Sequence, residues 1–439
     1  MSIEVKTTGG IVRGIEEEGI NFFNGIPYAE TLRFQDPKPY HWDDILDVSN
    51  NEIDCYPAYG YPFESSFYAS EFKDEKIEKK YQESPMTLSI VAPSSAKKLP
   101  VFIFIHGGAF DLGSISDPPY AKTTEYAKRG IIFVTIGYRL NVFGLYKGKN
   151  LLLKDQDFAI RWVYENIEAF GGDKNQIIIG GQSAGAMSVM DLIITPRLEG
   201  IVKGAILMSG AGPIPKFVGP KPASKTEKFW HKFMLELGCQ NENELLKIEP
   251  EKMVETYEKL KKKGIPLFLQ EPAVDGVILP YDHSWLIKHN LELNIPVIAG
   301  ITGQDMMPIF IHMILMSWAK ERIRKNLKPI YAYFFNRIPP NCEYKAYHAV
   351  DLWYAFGNLE KRAKGFDSLD YEIKDMMIDY FANFIKSLDP NGEGLPRFEP
   401  LSKNNGNMRL IEDIEERTIT PSKVRKIHFK VLIKDKGPI

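Results

Sequence analysis

One short passage near residue 180 constrains this chain more than any other. The apolar run Gln176-Ile177-Ile178-Ile179 leads into Gly180-Gly181-Gln182-Ser183-Ala184-Gly185, and a stretch that can be helical follows. A strand that turns directly into a helix must make a tight corner, and the residue at the corner takes a sparsely populated backbone conformation. Ser183 stands at that corner, so its hydroxyl projects from the end of a sheet as a candidate nucleophile. Gly181 and Gly185 flank it where strand and helix pass too closely for a Cβ atom.

A second passage lies upstream. Leu99-Pro100-Val101-Phe102-Ile103-Phe104-Ile105 is apolar without alternation, as expected of a strand buried on both faces of a parallel sheet. It ends in His106-Gly107-Gly108-Ala109-Phe110. Two glycines after such a strand leave backbone N–H groups free to turn toward one point. With the N–H of Ala184, those of Gly107 and Gly108 are candidate donors to an oxyanion, and His106 reads as a residue that shapes the loop.

Further strands are expected at 86–91, 130–136, 176–180, 203–208, 295–301 and 329–334, with a helix from Asp155 to Phe170 that Gly171-Gly172 closes. The alternation predicts an α/β fold: a mainly parallel central sheet with helices on both faces and functional loops at the carboxyl ends of its strands. The first thirty residues read as a small antiparallel meander. Residues 36–85 suit long loops on the substrate side, and Lys423 to Lys434 alternates like a last edge strand. Residues 1–439 are taken as one domain with a helical insertion at about 221–270.

Composition removes whole classes of function. A net charge of −2 gives no case for nucleic acid, and no run of 18 apolar residues offers a membrane span. Three widely spaced cysteines, Cys55, Cys239 and Cys342, have no metal-ligand spacing and suggest reduced thiols. The N-terminus lacks an apolar signal core, so a cytoplasmic protein is expected, a monomer or weak homo-oligomer that needs no cofactor or metal. The run Lys259-Leu260-Lys261-Lys262-Lys263 reads as the solvated face of a helix end.

Ser183 needs a base, and the base needs an acid to orient it. Of the later histidines, His231, His283 and His289 come too early, His312 lies in an apolar helical stretch, and His428 falls in the expected edge strand. His348 follows the strand at 329–334 after a Pro-Pro loop, where a base belongs. Asp305 stands just past the carboxyl end of the strand at 295–301, with Asp275, before a Gly in a turn, as the alternative acid. Asp351, one helical turn beyond His348, is placed to steady the histidine loop.

Several passages together resemble the type-B carboxylesterase family: FNGIPYA at 23–29, HGGAF at 106–110, GYRLNVFG at 137–144, the segment from Asp155 to Asp173, GQSAGA at 181–186, MSG at 208–210 and HAVDLWYAFG at 348–357. The resemblance covers nearly the whole length. It implies an α/β-hydrolase fold, a triad of Ser183, Asp305 and His348, oxyanion donors Gly107, Gly108 and Ala184, and a polar support for the triad at Ser209. The implied activity is hydrolysis of small uncharged carboxylic esters through an acyl-enzyme. Four departures stand out. Asp305 replaces the family's usual Glu, so its loop must approach His348 by about one further bond length. Gln182 replaces a Glu beside the nucleophile, which weakens attraction for cationic substrates and argues against choline esters. Only Cys55 remains of the first disulfide, with Ser84-Pro85-Met86-Thr87 where its partner would lie. A short connection after Asp305 implies a reduced helical cap. Aromatic residues within 57–68, Phe310 and Trp353 are expected lining for the pocket. The competing readings are a non-catalytic binding protein on the same scaffold and a hydrolase of thioesters or amides.

Overall fold

The computed structural model describes residues 1–58, 80–215, 219–266 and 269–434. Strands β1 (Ser2–Lys6), β2 (Ile11–Glu17) and β3 (Ile20–Pro27) form an antiparallel meander, with β4 (Leu46–Asp47) beside β2. The pair β5 (Asp54–Cys55) and β6 (Tyr81–Gln82) lies off the main sheet. Next, β7 (Thr87–Pro93) runs antiparallel to β3. The strands β8 (Leu99–Ile105), β9 (Ile132–Ile136), β10 (Gly172–Gln182), β11 (Val202–Met208), β12 (Val297–Thr302), β13 (Ile330–Phe335) and β14 (Met408–Ile411) are mutually parallel, and β15 (Thr418–Ile419) closes the edge antiparallel.

In space the order is β1-β2-β3-β7-β9-β8-β10-β11-β12-β13-β14-β15. From β8 the chain first moves out to β9, then returns to β10 on the other side. That reversal opens a crevice at the carboxyl ends of β8 and β10, the place where open α/β sheets bind ligands. The two strands end in His106-Gly107-Gly108 and in Ser183.

Why the central strands read as continuous apolar runs is now plain. Val101, Ile103, Ile105, Ile177 and Ile179 feed the core on one face, and Phe102, Phe104, Ile178 and Ile206 feed the core on the other. Helices α1 (Leu151–Asn166) and α2 (Ala184–Ile193) pack into the first core, and α7 (Ser368–Ser387) into the second. Each fully buried side chain of this size is worth about 1.5–3 kcal/mol. Between them in sequence come α3 (Glu227–Glu236), α4 (Pro250–Lys262), α5 (Pro308–Arg324) and α6 (Asp351–Phe356), and α8 (Pro421–Lys434) follows β15. Among the described residues no helix is long and apolar enough to cross a membrane.

Two expectations are corrected. The helix expected from Asp155 starts a turn earlier, at Leu151, where Leu151, Leu152 and Leu153 are buried, and Asp155 lies inside it, turned inward to bind Arg139 at 2.6 and 2.8 Å. The expected edge strand at 423–434 is helix α8. Pro421 suits a first helical turn and Thr420 Oγ1 accepts the Lys423 N–H at 3.3 Å. Val424, Ile427 and His428 then face inward at helical spacing while Phe429 is exposed. A sequence that mixes spacings of two with three and four fits both templates, and packing against α5 decides.

Candidate active site

At the corner between β10 and α2, Ser183 has φ 55° and ψ −125°. Its N–H donates to Met208 O at 2.8 Å and its carbonyl accepts the Met187 N–H at 2.9 Å, so strand β11 and helix α2 both pin the strained residue. A Cβ on Gly185 would come within 2.1 Å of Ile105 O, and one on Gly181 within 2.4 Å of the Gly185 carbonyl. Side chains at either position would push the helix off the sheet.

The loop after β8 is held by its carbonyls. His106 O accepts the Tyr138 hydroxyl at 2.8 Å, and Gly107 O accepts from His106 Nδ1 at 2.9 Å. Gly108 O accepts the N–H groups of both Asp111 and Leu112 at 3.0 Å. In a trans peptide C=O and N–H point to opposite sides. Anchoring these three carbonyls therefore fixes the N–H groups of Gly107, Gly108 and Ala109, each pointing away from the partner of its own peptide's carbonyl. The loop borders the nucleophile: a Cβ on Gly107 would lie 3.1 Å from Ser183 Cβ. His106 is stacked on Tyr138, which suits a shaping role.

His348 and Asp305 come from loops after β13 and β12 that are joined backbone to backbone. Gln304 pairs with Tyr347 as an isolated parallel bridge, and the Gln304 N–H donates to Ala346 O at 2.8 Å. His348 Nδ1 donates to Asp305 Oδ1 at 2.5 Å. Asp305 also accepts from Ser209 Oγ at 2.7 Å, from Thr302 N–H at 3.0 Å and from Met306 N–H at 2.9 Å. Burial alone would raise its carboxyl, but His348, the Ser209 hydroxyl and the Thr302 N–H together hold it below the ordinary range. With Nδ1 protonated, His348 Nε2 presents a lone pair, and the buried amide of Gln182 reaches it at 3.2 Å.

The other candidates are engaged elsewhere. Asp275 Oδ1 accepts the N–H groups of Val277, Ile278 and Leu279, each at 3.0 Å, as a turn residue does. Asp351 accepts the Tyr333 hydroxyl at 2.8 Å, and burial pushes its carboxyl up to about 7. His283 lies between Asp191 and the Ile214 N–H, His312 is buried in α5, and His428 reaches Thr302 O. Trp353 is buried in the core, its indole N–H on the Tyr347 hydroxyl, and Phe310 is half-buried. The aromatic residues within 57–68 lie outside the described residues. Cys55 Sγ sits 3.6 Å from Glu83 O, so the 83–86 segment does run beside it.

Two contacts had no signal in the sequence. One is Gln182 on His348. The other is Lys261: its neighbours Lys259 and Lys263 bind Glu236 at the surface, yet Lys261 turns inward, 5% exposed, onto the buried Asp111 carboxylate. The pair is separated by 150 residues, a distance no spacing rule spans. Among the described residues no group of three or more His, Cys, Asp or Glu side chains is placed to hold a metal ion.

A mainly parallel sheet under helices on both faces, with a strained serine at the strand-to-helix corner beside the topological switch, is an α/β-hydrolase. Within that class the chain belongs to the carboxylesterase family, whose sequence model matches residues 1–321 and 309–429. It is 29% identical to the para-nitrobenzyl esterase of Bacillus subtilis (strain 168), over 89% of this chain and 91% of that protein. Gut esterase 1 of Caenorhabditis elegans is 32% identical over 69% of this chain and 53% of its own length. A solved PNB esterase structure superposes with a TM-score of 0.81 at 26% identity, covering 97% of this chain and 99% of the other.

Proposed function

We propose that the protein hydrolyses small uncharged carboxylic esters through an acyl-enzyme on Ser183. His348 takes the Ser183 proton as the hydroxyl attacks the ester carbonyl, and Asp305 fixes the imidazole tautomer and balances the charge that develops on it. The backbone N–H groups of Gly107, Gly108 and Ala184 receive the oxyanion, joined by that of Ala109, whose peptide is anchored the same way. The alcohol leaves with the proton from His348. Water then repeats the attack on the acyl-enzyme and releases the acid. A neutral Gln182 beside the nucleophile leaves no carboxylate there to draw a cationic alcohol group, which supports neutral esters as substrates.

The observation that carries this reading is the His348–Asp305 hydrogen bond at 2.5 Å, on loops tied to each other, with Gln182, the neighbour of Ser183 in sequence, 3.2 Å from His348 Nε2. A fluorophosphonate should label Ser183 stoichiometrically, with the adduct mapped by mass spectrometry, and p-nitrophenyl esters of increasing acyl length should turn over. Absence of both label and turnover would leave a binding protein on a hydrolase scaffold. Turnover of thioesters or amides in preference to matched esters would move the leaving group and keep the nucleophile.

A further inference from the structure

The oxyanion loop is fastened from outside the catalytic sheet. Asp111 ends the turn that begins at Gly108, and its N–H donates to Gly108 O at 3.0 Å. Its carboxylate is buried and meets the ammonium of Lys261, which descends from helix α4 in the region between β11 and β12. The ammonium also lies over the Tyr257 ring, 5.5 Å from its centroid and one helical turn back. Ala58 N–H holds Asp111 O at 2.8 Å and Asn141 N–H holds Phe110 O at 2.7 Å.

The stretch between Gly108 and Asp111 needs such fastening. Gly108 has φ +107°, and Ala109 and Phe110 follow at φ 55° and 60°, a left-handed conformation that side-chain-bearing residues keep only when their surroundings impose it. A buried carboxylate without its cation would be drawn toward water, and the turn would relax with it. Rotation of the Gly108–Ala109 peptide swings its N–H away from the oxyanion position as its carbonyl leaves the Asp111 N–H.

We propose that Lys261 is a positioning residue for ester hydrolysis: through Asp111 it holds the Gly108–Ala109 peptide so that the Ala109 N–H faces the developing oxyanion. The proposal rests on the esterase reading above and gives the region around α4 a share in transition-state stabilisation. Geometry set here acts on the tetrahedral species more than on the bound ester, so the effect belongs in kcat.

The test compares Lys261→Met, Lys261→Arg and the double variant Lys261→Met/Asp111→Leu with the wild type on a p-nitrophenyl ester. Wild-type labelling at Ser183 and wild-type turnover are measured first, and their failure counts against the esterase reading itself. Lys261→Met should lose roughly 10- to 100-fold in kcat with KM within about twofold. A trifluoromethyl ketone, which forms a tetrahedral adduct on the serine, should bind more weakly by the same factor as kcat/KM falls. Lys261→Arg should recover most of the rate. If Lys261→Met does not fold, the double variant decides, because removing both charges leaves no unpaired ion in the core. The double variant should melt close to wild type yet remain slow. Recovery of full kcat in the double variant, a loss confined to KM, or a slow variant with unchanged trifluoromethyl ketone affinity would each overturn the proposal.

Discussion

Ser183, Gln182, His348 and Asp305 are the side chains on which the proposed chemistry turns, each held by neighbours that the chain brings from elsewhere. Ser183→Ala should lower kcat by about 10⁴-fold or more in a p-nitrophenyl ester assay, and Asp305→Asn by about 10⁴-fold because the amide favours the wrong imidazole tautomer. If Asp275→Asn instead proved the inactive variant, the acid would be reassigned. Ser209→Ala removes one of four donors to the Asp305 carboxylate and should cost about 1.5–3 kcal/mol of transition-state stabilisation, read from kcat/KM. Gln182→Glu should improve kcat/KM for a choline ester relative to its uncharged isostere, at low ionic strength, since it restores a carboxylate beside the nucleophile. Asp351 gives a prediction of opposite character. Its folded carboxyl is raised to about 7, so the folded state holds a proton that the unfolded chain has lost above about pH 4. Stability from this group therefore falls as pH rises between about 4 and 7, and Asp351→Asn, which keeps an acceptor for the Tyr333 hydroxyl, should melt higher than wild type at pH 8 and gain little at pH 4.

The elements were legible wherever one periodicity dominated. The runs ending at Ile105 and Phe335 are strands within one residue of where their apolar patterns place them, and the one ending at Gln182 begins four residues earlier than its apolar run, at Gly172. Asp155 and His428 show why others were not. Asp155 has the composition of a helix start, and only the presence of Arg139 across the first core makes it a buried partner within α1. Asp155→Ala leaves that guanidinium buried and unpaired and should cost about 3–5 kcal/mol in a denaturant titration. Helix α8 lies on α5 through His428, whose ring is 6.0 Å from that of His312. Burial, with His428 and Arg425 adding to it, pushes His312 down to about 4. A lowered histidine favours the neutral folded form, so its stabilisation is full above about pH 6.5 and is lost as pH falls toward 4. His312→Leu removes two ring nitrogens that find no hydrogen-bond partner among the described residues, and its melting temperature should depend less on pH between 7 and 5 than that of wild type.

Across the whole molecule the site is an intersection. Five stretches of chain meet at the carboxyl ends of β8, β10, β11, β12 and β13, and a sixth, α4, reaches them through Lys261 and Asp111. Periodicity revealed the parallel sheet, and the glycine-flanked corner revealed Ser183, because both follow from backbone sterics that act within a few residues. His348 and Asp305 were legible through their place after particular strands, together with family motifs running in order along the chain. That was enough to name Asp305 with Asp275 still open beside it. Only the folded chain brought the acid loop against the histidine loop, turned the Gln182 amide onto His348 and drew Lys261 away from its solvated neighbours. Local geometry is written in adjacent residues, whereas the pairing of groups 43, 150 or 166 positions apart is set by how the layers pack, and no local pattern carries that information.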